Sequence, residues 1–297
     1  MAGFEHAAVV EIEAHPCATL RLNRPQWQTF EQDLRSFSAL NYLGVDLLAG
    51  GVPCPPFSKA GKQLGADDER DLFPEALRLV DECRPQAVML ENVRGLLDVQ
   101  FDSYREQIEI TLKKLGYVIG WRLLNASNYG VSQLRPRVIC VAIRKDRASE
   151  FSWPEPLKNA PPTVGELLHD LMAERGWRGA EAWRDIASSI APTLVGGSKK
   201  HGGPDLGPTR AKKAWAALGV DGHGIWDAAP EADFIGMPRL TTRMAARIQG
   251  FPDDWVFSGK KTAAYRQIGN AFPPPVARAV AEQIHVAISK RRVFAVA

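Results

Sequence analysis

Cysteine is scarce in this 297-residue chain: four thiols, Cys17, Cys54, Cys83 and Cys140, lie far apart, with no C-x-x-C pair and no histidine at metal-ligand spacing. Neither a disulfide framework nor a metal centre is expected to organise it. No stretch approaches about 18 uninterrupted apolar residues, and the first residues lack the basic and apolar regions of a secretion signal, so the expectation is no membrane and a reducing cytoplasm. A bulk excess of charge is lacking too, because 37 basic and 34 acidic side chains leave only +3. Any nucleic-acid partner must therefore meet a local basic surface. Internal repeats and low-complexity tails are also missing. What remains is an ordinary globular composition, long enough for one large domain or a large and a small one.

From residue 7 to about 145, short β-rich runs alternate with amphipathic segments. The strand runs are Ala8 to Ile12, Val45 to Leu48, Ala87 to Leu90 and Val138 to Ile143. Such apolar runs suit strands buried on both faces. Between them, Asp71 to Cys83 and Phe101 to Leu115 carry apolar residues at helical spacing. The alternation predicts a mostly parallel α/β sheet in a first domain, residues 1–150. Prolines 154, 156, 161 and 162 then arrive together, and a stretch rich in Gly, Lys, Trp and Pro follows. This predicts a second, smaller irregular domain over 151–260. Helical patterns return at Thr241 to Gln249 and Pro275 to Ile288, the latter in a segment, 261–297, expected to pack back on the first domain.

Three places in this pattern carry chemistry. Gly50-Gly51-Val52-Pro53-Cys54 sets a thiol in a tight loop at the carboxyl end of a strand, where open α/β sheets bind ligands, and the glycines admit a close approach. The plain alternative is a buried structural thiol. Leu90-Glu91-Asn92-Val93 ends another strand in a carboxylate and an amide, though Asn92 could equally cap a helix. Gln133-Leu134-Arg135-Pro136-Arg137 sets two arginines two residues apart before a strand, suited to clamping a phosphate or orienting a carboxylate, or simply to solvation.

In order, Pro53-Cys54 with Pro56-Phe57-Ser58, Glu91-Asn92-Val93, Gln133-x-Arg135-x-Arg137, Arg239-Leu240-Thr241 through Gln249-Gly250-Phe251-Pro252, and Gly269-Asn270-Ala271-x-Pro273-Pro274 resemble the motifs of the cytosine-C5 DNA methyltransferase family. The resemblance spans roughly residues 8 to 285, with minor departures at Val52 and Pro55. It implies a Rossmann-like S-adenosylmethionine-dependent methyltransferase sheet and a target-recognition domain. It also implies a double-stranded DNA partner, a flipped cytosine and an association with restriction-modification and the nucleoid.

The same resemblance implies that Cys54 is the nucleophile toward cytosine C6, that Glu91 is the acid at N3, and that Arg135 and Arg137 hold the base and its phosphate. Cofactor contacts would come from Glu11, Ile12, Asp33, Leu34, Pro53 and Asn270. DNA contacts would come from Ser58, Gln133, Lys199, Lys200, Arg210 and Arg239. The tryptophans 153, 177, 183, 215 and 226 are expected in the core. The family's opening strand and F-x-G-x-G turn are not present. The chain is thus expected to begin at an internal methionine of a longer protein, to take the strand from a second chain while otherwise a monomer, or to be an inactive DNA-binding remnant. A transfer-RNA cytosine methyltransferase is the remaining alternative, which the glycine- and lysine-rich second domain disfavours.

Overall fold

The computed structural model describes residues 2–53, 71–196 and 204–289. Its strands are β1 (Val9–Glu11), β2 (Thr29–Glu31), β3 (Leu47–Gly51), β4 (Ala87–Val93), β5 (Tyr117–Asn125) and β6 (Pro136–Arg144). Helices α1 (Ala14–Asn23), α2 (Phe73–Cys83) and α3 (Asp102–Lys114) lie among them. Helices α4 (Val164–Ala173), α5 (Ala180–Ile186), α6 (Thr209–Ala216), α7 (Thr242–Ile248), α8 (Lys261–Asn270) and α9 (Pro274–Ser289) follow.

The described strands form two sheets, a parallel pair β1-β2 and a four-stranded sheet in the order β3-β4-β6-β5. β3 and β4 run parallel, but β6 is antiparallel to both β4 and β5. The expectation of a mostly parallel sheet is corrected to a mixed one. The physical reason is the connection 126–135 between β5 and β6, which holds only a 3-10 turn at Ala126–Tyr129. A parallel return needs a longer crossover, usually a helix.

β4 explains the position of the core. Ala87 and Met89 pack with Ile139, Val141 and the α9 residues Val276, Val280 and Ile284 on one face. Val88 and Leu90 pack with Cys140 and residues of α2 and α3 on the other. The two-residue alternation of a strand assigns these faces. α2 starts with a proline in its first turn and ends on Arg84 in the left-handed region at φ 44°.

The second domain is more regular than expected. α4 opens on a capping box in which the Thr163 hydroxyl accepts from Glu166 N–H while the Glu166 carboxylate accepts from Thr163 N–H. Its core joins Leu168, Met172, Trp183, Trp215, Leu240 and Ile248, and takes in Tyr265 and Ile268 of α8. α8 therefore packs with the second core, and the return to the sheet starts at α9 rather than at 261. Residues 151–153, expected in the second domain, pack on the sheet through Phe151 and Trp153. Trp177, Trp183 and Trp215 are buried, whereas Trp153 and Trp226 are half-buried.

The β1-β2 pair is fastened through α1. Thr19 Oγ1 donates to Gln267 Oε1 at 2.6 Å and accepts from Ser258 N–H at 2.8 Å. Asn23 pairs with the Val256 main chain through both amide atoms, at 2.7 and 2.9 Å. Arg24 lies over the Trp255 ring at 5.0 Å. On this side its holdfast is the 255–258 segment and α8, while the chain after β2 is held to α2 through Arg78 and the Leu34 and Phe37 carbonyls. No helix among the described residues is long and apolar enough to cross a membrane.

Candidate active site

The site forms where β3 and β4 end together. In their parallel register Gly51 lies beside Glu91, and a Cβ built on Gly51 would sit 3.0 Å from Glu91 Oε2. Glycine at 51 thus leaves room for a carboxylate against the backbone of the neighbouring strand. The next residue, Val52, is buried, and its carbonyl accepts from Asn92 Nδ2 at 3.0 Å. Asn92 Oδ1 accepts from Val93 N–H at 2.8 Å, so the amide shapes the exit from β3 rather than capping a helix. Beyond it, Leu72 N–H donates to the Pro53 carbonyl at 3.3 Å, and Pro53 itself is exposed. Cys54 and Ser58 lie outside the described residues.

Glu91 faces Ile139 across the antiparallel β4-β6 ladder, and Arg137 stands two residues further along β6. Diagonal neighbours on one face of a sheet are within reach of long side chains, and Arg137 Nε meets Glu91 Oε1 at 2.7 Å with both side chains 14% exposed. Burial pushes the Glu91 carboxyl above its ordinary range, against the pull of Arg137 and Arg135. Burial likewise lowers Arg137, while Glu91 opposes it. The result is a carboxyl whose protonated form is favoured by desolvation, with a single guanidinium orienting it.

The structure corrects two expectations. Arg135 is 1% exposed. Its Nη1 donates to the Leu194 carbonyl at 2.6 Å, and its Nη2 donates to the carbonyls of Gly269 and Ala271 at 2.7 and 3.1 Å. With both terminal nitrogens engaged by main chain, it is not presented to a base or phosphate. Gln133 is fully buried; its Oε1 accepts from Leu194 N–H at 2.9 Å and its Nε2 donates to Gln249 Oε1 at 2.7 Å. It too is a structural link between domains, not a DNA contact. A charge pattern shows that an arginine is present, but not which carbonyls surround it.

The residues expected at the cofactor fall on the β1-β2 pair and the α8–α9 turn. Glu11 ends β1, and its Oε1 accepts from Glu13 N–H at 2.8 Å. Ile12 follows at 61% exposure. Asp33 caps a 3-10 turn; hydrogen bonding from Arg35 N–H and the Arg35 side chain holds its carboxyl below the ordinary range. Leu34 is half-buried, packed towards Ala39, Leu79 and Cys83. Asn270 is exposed at the end of α8. Two strand-end carboxylates and an exposed aliphatic side chain are a donor set suited to the hydroxyls, amino group and ring face of an adenosine, as at the strand ends of dinucleotide-binding folds. The Asn270 amide lies in a glycine cradle, where a Cβ on Gly196 would fall 2.1 Å from its Oδ1. These residues fit an adenosine-based cofactor bearing an amino-acid tail.

Of the expected DNA contacts, Arg210 is exposed on α6. Arg239 is half-buried and donates from Nε to Asp221 Oδ2 at 2.7 Å. Burial opposes ionisation of Asp221, but the N–H and ring of His223 together with Arg239 hold its carboxyl down at about 2. Lys199 and Lys200 lie outside the described residues. Gly269 of the Gly269-Asn270-Ala271 motif and Gly196 were not expected to meet, yet their backbones cross so closely that a Cβ on Gly269 would lie 2.5 Å from Gly196 Cα. The motif marked Gly269 but not its partner, because a contact between two glycine backbones leaves no side-chain pattern.

The mixed, Rossmann-like sheet with a desolvated carboxyl at its strand ends is the fold of an α/β methyltransferase. Comparison with known proteins narrows the class. The profile of the C-5 cytosine-specific DNA methylase family matches residues 1–286, and the chain belongs to that family. It is 57% identical to the type II methyltransferase M.NgoMIV of Neisseria gonorrhoeae, over 97% of this chain and 93% of that protein. It is 56% identical to M.NaeI of Lentzea aerocolonigenes, over 97% of this chain and 71% of that protein. Among solved structures, the fold matches a Spodoptera frugiperda DNMT2 mutant at a TM-score of 0.63 and 18% identity, over 97% of this chain and 94% of that one. It also matches the S. pombe Dnmt2 methyltransferase at a TM-score of 0.64 and 16% identity, over 96% of this chain and 92% of that one.

Proposed function

We propose that this DNA cytosine-5 methyltransferase is the modification enzyme of a type II restriction-modification pair, acting on a cytosine swung out of duplex DNA. The observation that carries the site assignment is the buried Glu91–Arg137 pair, set against Gly51 three residues before Cys54. Cytosine C5 is a poor carbon nucleophile, and the Cys54 thiolate remedies this by adding to C6. The addition forms the C6–S bond, consumes the C5–C6 double bond and moves its electron pair into a C4–C5 enamine that is nucleophilic at C5, while the proton of Glu91 passes to N3 and takes up the developing charge. Arg137 holds the carboxyl in place and stabilises it once the proton has left. S-adenosylmethionine supplies the electrophilic methyl group when bound. Transfer of the C5 proton to water then expels the Cys54 sulfur from C6 as thiolate, restores the C5–C6 double bond, and allows N3 to return its proton to Glu91.

Glu11, Ile12 and Asp33 would hold the adenosine, and Asn270 the methionine end. The target carbon is unreachable in a stacked duplex, so the second domain, with Arg210 and the Lys199-Lys200 segment, would grip the DNA while the base is out. DNA carrying 5-fluorocytosine tests the reading, because the fluorine cannot depart as a proton does. In the presence of cofactor it should trap a covalent adduct at Cys54, visible as a mass shift and abolished in Cys54→Ser. No adduct on DNA that the active protein methylates would refute the assignment. Bisulfite sequencing of DNA from an expressing host identifies the sequence read.

A further inference from the structure

The β5–β6 connection, the second domain and the α8–α9 turn meet in one buried polar knot that the chemistry above does not use. Arg135 bonds the carbonyls of Gly269 and Ala271, which flank Asn270, and the carbonyl of Leu194. Gln133 accepts from the Leu194 N–H and donates to Gln249, whose own amide donates to the Ala271 carbonyl at 2.5 Å. The segment thus anchored, 194–196, runs against the end of α8. There a Cβ on Gly196 would meet Asn270 Oδ1 at 2.1 Å and the Arg266 carbonyl at 2.9 Å.

Helix-end carbonyls are usually satisfied by water or a glycine cap. Here they are satisfied by a guanidinium whose burial costs so much desolvation that it is pushed down to about 9, with Arg137 adding repulsion. A planar fork reaching three carbonyls fixes the turn in a way that a flexible ammonium cannot.

We propose that Arg135 and Gly196 are positioning residues for the Asn270 amide. The main chain of the second domain, and not the sheet alone, then sets where that amide meets the methionine end of the cofactor. The inference rests on the reading of Asn270 as a cofactor contact.

Calorimetric binding of S-adenosylhomocysteine to the full chain, which needs no turnover, tests it through double-mutant cycles. Asn270→Ala should weaken binding about tenfold, the loss of one hydrogen bond. Gly196→Ala and Arg135→Lys should each weaken it several-fold. Either one combined with Asn270→Ala should bind no worse than Asn270→Ala alone, because the amide they place is already gone. A merely structural role would give multiplying losses, and that result would overturn the proposal. So would wild-type affinity in Gly196→Ala alongside weakened Asn270→Ala. Wild-type affinity in Asn270→Ala would instead remove the cofactor reading of Asn270, and the positioning role with it. If the first two variants do not fold, Thr193→Val serves in the same cycle, since it removes only the hydroxyl bond from Thr193 to the Leu134 carbonyl that steadies the segment.

Discussion

Replacing Arg137 with methionine should make the stability of this protein pH-dependent in a defined window. In the native chain Glu91 has one oxygen 2.7 Å from Arg137 Nε, and burial already raises its pKa. Two unit charges about 4 Å apart at an effective dielectric near 20 attract by about 4 kcal/mol. Losing that attraction should lift the Glu91 pKa by up to roughly 3 further units. A folded pKa raised above the unfolded value gives stability that is complete below the unfolded pKa and lost as pH rises through the folded one. Arg137→Met should therefore lose stability relative to the native protein at up to about 1.4 kcal/mol per pH unit across the raised range. Below about pH 4, where Glu91 is protonated in both states, only a constant packing difference should remain. Urea denaturation at unit pH steps from 5 to 8 measures this, and Glu91→Gln/Arg137→Met should be flat. A pH-independent difference in the single variant would refute the claim that Arg137 governs the ionisation of the acid.

Three further outcomes follow from the geometry. Gly51→Ala places a methyl 3.0 Å from Glu91 Oε2 and should slow methylation of DNA severalfold while leaving S-adenosylhomocysteine binding unchanged; equal turnover would show that the carboxylate has room to spare. Gly165→Ala would drive a Cβ to 2.1 Å from the Arg184 carbonyl, where α4 and α5 pack. The α4–α5 contact cannot relax through a side-chain tip, so a loss of about 2–4 kcal/mol is expected in chemical denaturation. Cys17, Cys83 and Cys140 are buried, and burial pushes the Cys83 thiol up to about 11. Maleimide labelling of the native protein followed by peptide mapping should leave these three unmodified.

How far the sequence could be read followed burial. β4 was legible because Ala87 to Leu90 are apolar on both faces. β5, at the edge of the sheet among the described strands and paired there with β6, mixes Gly120, Arg122 and exposed Leu123 and carried no such signal. α4 and α6 lay in a stretch whose glycines and prolines suggested irregular chain, because turn residues mark where elements stop and not how much helix lies between them. Glu91 stood out as a carboxylate closing an apolar strand. The roles of Arg135 and Gln133 depend on Leu194, Gly269 and Ala271, which are distant in sequence and contribute only main-chain atoms. No residue pattern records such partners.

The fastening of β1-β2 through α1 has a consequence for the energetics of opening. Asp33 lies where the chain leaves β2 for α2, whose Arg78 donates to the Leu34 and Phe37 carbonyls. Glu11 and Ile12 ride on a small unit whose ties through α1 run to 255–258 and α8, with only three ladder pairs of its own. Such a unit can exchange its amide hydrogens by local release while the four-stranded sheet stays protected, as weakly coupled cooperative units do. Adenosine bound across Ile12 would close that fluctuation, adding about 2.7 kcal/mol of protection at a hundredfold excess over the dissociation constant. Cofactor affinity and the breathing rate of β1 and β2 would then be two measurements of one equilibrium.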